Sequence, residues 1–273
     1  MKKLVILIMG ILGCFFLGAC NTNVSNIGVN DLTFVQHNSY HGYSVEEEPT
    51  ISLRFFDTIE ENRDFSKVVL FSNNHEFEAK NLKVSTEKNY QNTDLCKLNL
   101  TLPSLEPGKY TIDKIRIYSK DSSRDFNIGT WILDIKNIPK YEDIELKKYT
   151  ILTGYFYFYK LELENITDKN LRVKELVFML PELDVDYEIY SSHDFSNISE
   201  IYENTFLTSN STQAFSFNFE CHNNKYLESF ISFKPFLKYT VNEEIRLMTL
   251  PTAFYSPLLS YREEQMLEKY TSN

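Results

Sequence analysis

Four alanines in 273 residues, against 21 phenylalanines and 18 tyrosines, set the tightest limit on what this chain can become. Alanine is the strongest helix former, while aromatic side chains favour the pleated, half-buried surface of a strand. A helical bundle or a helix-rich α/β enzyme is therefore excluded. Glycine points the same way: of the 8 present, Gly10, Gly13 and Gly18 fall in the first twenty residues and the rest are isolated. No glycine-rich loop is left to cradle a phosphate or dinucleotide. The chain is long enough for two cores of about 100 residues each, or one large one.

Short alternating runs separated by turn residues fill most of the sequence. From Asp31 to about Lys136 they predict strands at Leu32–Gln36, Ile51–Phe56, Lys67–Ser72, Glu76–Ser85, Leu95–Leu102, Lys109–Tyr118 and Phe126–Lys136. In the sixth, Tyr110, Ile112, Ile115 and Ile117 break phase at Asp113-Lys114, which predicts a bulge. Before it, Leu105-Glu106-Pro107-Gly108 has the chemistry of a turn. Asn137-Ile138-Pro139-Lys140 reads as a junction. Beyond it, strands are expected at Ile144–Tyr149, Leu152–Glu164, Leu171–Leu180, Tyr187–Tyr190, Gln213–Glu220, Tyr226–Leu237 and Glu243–Leu250. The turn-like Asn165 to Asn170 makes Leu152–Leu180 a hairpin, and Asp184–Asn210 reads as a long loop with a short helix near Ser199–Asn204. Ser256 and Pro257 start a C-terminal helix reaching Tyr270, with Leu259, Met266, Leu267 and Tyr270 on one face.

Seven short strands in about 105 residues, with frequent turns, resemble an immunoglobulin-like sandwich. The second block resembles, more loosely, the similar modules of bacterial surface lipoproteins. The expected fold is thus all-β: tandem immunoglobulin-like β-sandwiches at 31–138 and 141–251, then a helical tail over 252–273.

The N-terminus carries an address. Lys2 and Lys3 precede an apolar stretch from Leu4 to Leu17, shorter than the roughly 20 residues a membrane-spanning helix needs. It ends in Leu17-Gly18-Ala19-Cys20, which resembles the lipobox of bacterial lipoproteins. That resemblance implies a signal peptide over 1–19, cleavage between Ala19 and Cys20, and diacylglycerol on the Cys20 thiol. Two acyl chains, at about 0.8 kcal/mol per buried methylene, hold a protein stably at a bilayer. Residues 20–30, polar and free of aromatics, then form a lipidated tether. The implied location is exported and membrane-anchored, at the cell membrane or outer membrane.

Without Lys2 and Lys3 the 28 basic residues fall to 26 against 38 acidic, a net charge of −12. Such a surface repels nucleic acid and anionic lipid on average, so membrane attachment is expected through the lipid alone. Cys96 and Cys221 are expected to be two separate buried thiols.

Few residues suggest chemistry. His37 and His41 would share a side of a helix, but their segment is polar and unperiodic, and the expectation is an exposed loop. His75, His193 and His222 lack a nucleophile in a recognisable context. Asp184, Asp186, Glu188 and Asp194 make an acidic loop without the glycine that calcium loops use. Phe156 and Phe158 share the mixed face of an aromatic strand, either an interdomain contact or a surface for sugar rings or a partner. No cofactor is expected.

Three function classes remain. A non-catalytic envelope lipoprotein that binds a protein or glycan, or serves as a scaffold, leads by elimination. An exported enzyme with a site in the sandwich loops lacks a motif, and a solute-binding lipoprotein of a transporter lacks the expected helix-rich lobes.

Overall fold

The computed structural model describes residues 32–57, 64–73, 75–90, 93–120, 122–152, 157–180, 185–192, 195, 205–221 and 230–255. Outside them lie the expected signal peptide and tether, including Ala19 and Cys20, and the helices expected at Ser199–Asn204 and Ser256–Tyr270. Among the described residues every regular element is a strand, as the scarcity of alanine requires. The first block forms β1 (Leu32–Phe34), β2 (His37–Ser44), β3 (Thr50–Asp57), β4 (Lys67–Ser72), β5 (His75–Glu78), β6 (Asn81–Tyr90), β7 (Thr93–Thr101), β8 (Gly108–Tyr118) and β9 (Ser123–Lys136). The second forms β10 (Ile144–Leu152), β11 (Tyr157–Asn165), β12 (Leu171–Val177), β13 (Val185–Ser192), β14 (Phe206–Leu207), β15 (Thr212–Cys221), β16 (Phe230–Lys234), β17 (Phe236–Val241), β18 (Glu244–Thr249) and β19 (Ala253–Tyr255).

These strands make four sheets: A (β1-β3-β7-β6), B (β19-β16-β2-β9-β8-β4-β5), C (β10-β11-β15-β13) and D (β14-β12-β17-β18). Pairing is antiparallel except at the centre of sheet B, where β2 runs parallel to both β9 and β16. Sheets A and B enclose one core, built on Leu53, Phe55, Leu70, Leu98, Ile115 and Trp131. Sheets C and D enclose a second, around Tyr159, Leu161, Val173, Phe215, Phe217 and Phe236. Sheet B reaches this core too, through Tyr40 of β2, Ile132 of β9 and Ile231 and Phe233 of β16. Because successive side chains of a strand point to opposite faces, β2 and β9 serve both cores at once.

The structure corrects several expectations, three of them by a change of sheet. Glu76–Ser85 is two strands: Ala79 N–H donates to Val68 O in sheet B, while Lys80 N–H donates to Thr101 O in sheet A. Tyr226–Leu237 is likewise divided at Pro235, which has no N–H to give a ladder. Before it β16 lies in sheet B, and after it β17 lies in sheet D. Leu152–Leu180 is not a hairpin, since β11 belongs to sheet C and β12 to sheet D. Both strands carry fully buried aliphatic residues, Leu161 and Leu163 against Leu171 and Val173, so they face each other across the core. Within Asp184–Asn210, residues Val185–Ser192 form edge strand β13, and Ala253–Tyr255 of the expected helical tail form β19.

The expected bulge at Asp113 is present. The β8–β9 register jumps from Ile112↔Trp131 to Lys114↔Asn127, so β9 carries extra residues there. One of them, Gly129, has φ +82, and a Cβ on it would lie 2.0 Å from the carbonyl oxygen of His37. Only glycine permits both that backbone and that approach of β2.

Candidate functional site

The segment around His37 and His41, expected as an exposed loop, is instead β2, an interior strand of sheet B. Neighbouring strands answer its buried Ser39, Tyr40 and His41 side chains. On the face toward sheet A, His37, Ser39 and His41 align with Phe230, Ser232 and Lys234 of β16. Ser39 Oγ and Ser232 Oγ are 2.9 Å apart, and Ser232 Oγ lies 2.9 Å from His41 Nε2. His41 Nδ1 is 3.3 Å from Tyr43 Oη. Lys234 Nζ donates to Glu47 Oε1 at 2.6 Å and sits 4.0 Å above the Tyr43 ring. His37 packs its ring against Trp131 and Phe230 at 5.2 and 5.5 Å. Neither of its nitrogens, nor Trp131 Nε1, has a hydrogen-bond partner among the described residues. On the opposite face, Tyr40 Oη donates to the buried Asp134 carboxylate at 2.7 Å.

Burial pushes both imidazoles down to about 3, with the Arg54 charge adding to the effect at His37 and Lys234 at His41. Burial lowers Lys234 as well, against the opposing pull of Glu47. The Ser232–His41–Tyr43 chain has the spacing of a nucleophile and base, but Ser232 has no exposed surface and faces a packed sheet. It therefore ties β2 to β16 and presents no nucleophile to a substrate. Nor do His37 and His41 converge on one ion: four residues along a strand separate them by about 13 Å. Among the described residues no group of three or more His, Cys, Asp or Glu is placed to hold a metal.

The other sequence candidates are scattered. Asp184, Asp194, Phe156, His193 and His222 lie outside the described residues, and Asp186 sits in β13 with its backbone opposite Glu220. Glu188 is exposed on β13, where Tyr190 Oη donates to it. Phe158 is half-buried in β11 opposite Leu152 and Asn218. His75 opens β5, exposed and stacked on Phe77. Cys96 is buried, its sulfur 3.9 Å from Thr86 Oγ1.

An open surface appears where the sequence offered no motif. The outer face of sheet D forms a depression of about 820 Å³. The register lines up Phe206 of β14, Arg172 of β12, Thr240 of β17 and Ile245 of β18 in one row across four strands. At the usual strand spacing the row spans about 14 Å. Phe206 and Ile245, at its ends, are 46% and 61% exposed. The Arg172 guanidinium lies 5.3 Å from the Phe206 ring centroid and its Nε donates to Thr205 Oγ1. Lys174 lies beside Arg172, while Lys238 is held by Glu175 at 2.7 Å. Residue separation hid this row: 172, 206, 240 and 245 meet only through pairing. Its one local trace is the alternation Leu171, Arg172, Val173, buried–exposed–buried.

No protein-family model matches the chain, and no curated protein is detectably similar to it.

Proposed function

We propose that this chain is an exported lipoprotein, held to a membrane through Cys20, that works as a non-catalytic binding protein. The face of sheet D outside the second core is its recognition surface. The observation that carries this reading is the Phe206–Arg172–Thr240–Ile245 row. Large apolar side chains are costly to leave in water, and interface centres favour aromatic residues and arginine. The buried polar cluster around His41 and Ser232 is by contrast closed between sheets. We read the two cores as tandem immunoglobulin-like sandwiches, the helical tail following the second, and the tether after Cys20 as the segment that lifts both from the bilayer.

Two measurements test this function. Cells fed a labelled fatty acid should label the wild-type chain and not Cys20→Ala, which should leave the membrane fraction. A photo-crosslinking residue at Phe206 or Ile245 should give a discrete adduct in those cells, whereas one at Tyr149, exposed on sheet C, should not. Equal labelling of Cys20→Ala refutes the anchor. Absence of an adduct at both sheet D positions refutes the recognition surface.

A further inference from the structure

We infer that the outer face of sheet D takes an extended acidic peptide segment of a partner protein, one whose same-face side chains, every second residue, place a carboxylate between apolar groups. The inference rests on the recognition surface proposed above and adds the chemistry of its occupant.

Charge carries the argument. The chain has ten more acidic than basic residues, and many described surface cations, Arg54, Arg116 and Lys147 among them, are matched to a carboxylate. Arg172 and Lys174 are different: neither lies within ion-pair distance of a carboxylate among the described residues. Two uncompensated cations thus stand together on an acidic molecule. Lys238 is already neutralised by Glu175, and Glu243, which also lines the depression, makes no ion pair with Arg172 or Lys174. The Arg172 guanidinium, without a carboxylate partner, is flanked by apolar groups, with Phe206 next to it and Ile245 two strands away. A ligand that fits offers a carboxylate for the Arg172 fork and apolar side chains on either side. An extended peptide repeats side chains on one face every 6 to 7 Å, so five of its residues cover the row. Thr240, between Arg172 and Ile245, supplies a hydroxyl to the peptide backbone.

The test uses the full chain in phosphatidylcholine nanodiscs, with Leu-Ser-Glu-Ser-Leu-Ser-Glu-Ser (the Leu-Glu peptide) as probe, since its same-face residues alternate Leu and Glu, and the version with Gln for Glu (the Leu-Gln peptide) as its uncharged match. The expected result is saturable binding of the Leu-Glu peptide, at least tenfold weaker for the Leu-Gln peptide. Arg172→Gln with Lys174→Gln should weaken the Leu-Glu peptide at least tenfold, and raising salt from 50 to 500 mM should weaken it several-fold, as screening of exposed charges demands. Lys109→Gln with Lys120→Gln, in the first block, should leave binding unchanged. Equal binding of the two peptides, indifference to the Arg172/Lys174 pair, or no binding of either overturns the inference. So does hydrogen-exchange protection of Glu244–Thr249 on adding phosphatidylglycerol to the discs without peptide binding, which would make this face a membrane contact. If crosslinks at Phe206 persist while the peptide fails, only the occupant's class is wrong. If the crosslinks are absent as well, the recognition surface itself is wrong.

Discussion

His37 and His41 put two imidazoles between packed sheets, where the protonated form has lost its water and gained nothing in return. Their pKa values fall to about 3 from an ordinary 6.5, so both stay neutral in the folded chain throughout the mildly acidic range. The unfolded chain takes up a proton at each below about pH 6.5. More protons bound to the unfolded state means that stability falls with falling pH. The contribution is complete above about pH 6.5 and drains away between there and about pH 3. Each group adds a slope of up to about 1.4 kcal/mol per pH unit. Urea midpoints between pH 7.5 and 4.5 should therefore drop steeply for the wild type. His37→Phe should flatten the drop by about half, since its ring suits the pocket of Trp131 and Phe230 and no hydrogen bond is lost. A variant with the wild-type pH slope would show that His37 is not neutral by burial.

At the level of elements, the arch from β11 to β12 hangs on one side chain. Asn165 is fully buried, and its Nδ2 donates to Lys169 O, Leu207 O and Thr208 O, while its Oδ1 accepts from Thr167 N–H and Thr167 Oγ1. Those carbonyls lie where the chain leaves sheet C, crosses the core and meets the short strand β14. Asn165→Ala strands several buried backbone groups and should cost about 3 kcal/mol, given roughly 1 kcal/mol or more for each unsatisfied group. Asn165→Asp keeps the acceptor for Thr167 but turns a negative charge toward three carbonyls, so it should be at least as harmful. Chemical denaturation of both variants checks the order; an Asn165→Ala loss below about 1 kcal/mol would mean that the arch is held by packing alone. The turn was legible in Asn165 to Asn170, but its kind was not. Both a hairpin and an arch need a polar, turn-forming segment, and only the partners of β11 and β12 tell them apart.

For the whole molecule, sheet B is decisive. Its strands β4, β5, β8 and β9 come from the first block and β16 and β19 from the second, with β2 bridging them by parallel pairing on both sides. Tyr40 and Gly42 of β2 meet the second core while Tyr43 meets the first, and a Cβ on Gly42 would lie 2.5 Å from the Phe236 ring. Neither core can lose β2 without opening the other. Calorimetry should show a single transition whose van't Hoff and calorimetric enthalpies agree. Gly42→Ala, which presses on Phe236, should lower that transition without splitting it. Two separated transitions would mean that the blocks melt independently and that the β2–β16 pairing breaks first.

Strand content was determined by the sequence itself. Few alanines and many rings leave little else, and runs such as Leu95–Leu102 alternate strongly enough to mark a strand, because burial of one face is a local demand. The bulge at Asp113 was local for the same reason, since a broken phase records where side chains change face. Only tertiary structure decided which strands are neighbours. β2 reads as polar loop until Ser232 and Asp134, which lie 193 and 94 residues beyond Ser39 and Tyr40, supply partners that make its burial tolerable. The row on sheet D has the same origin: Phe206, Arg172, Thr240 and Ile245 form no pattern along the chain, because hydrogen-bonded ladders join strands without regard to their distance in sequence. Alternation says that a strand has an inside; only the fold says whose inside it shares.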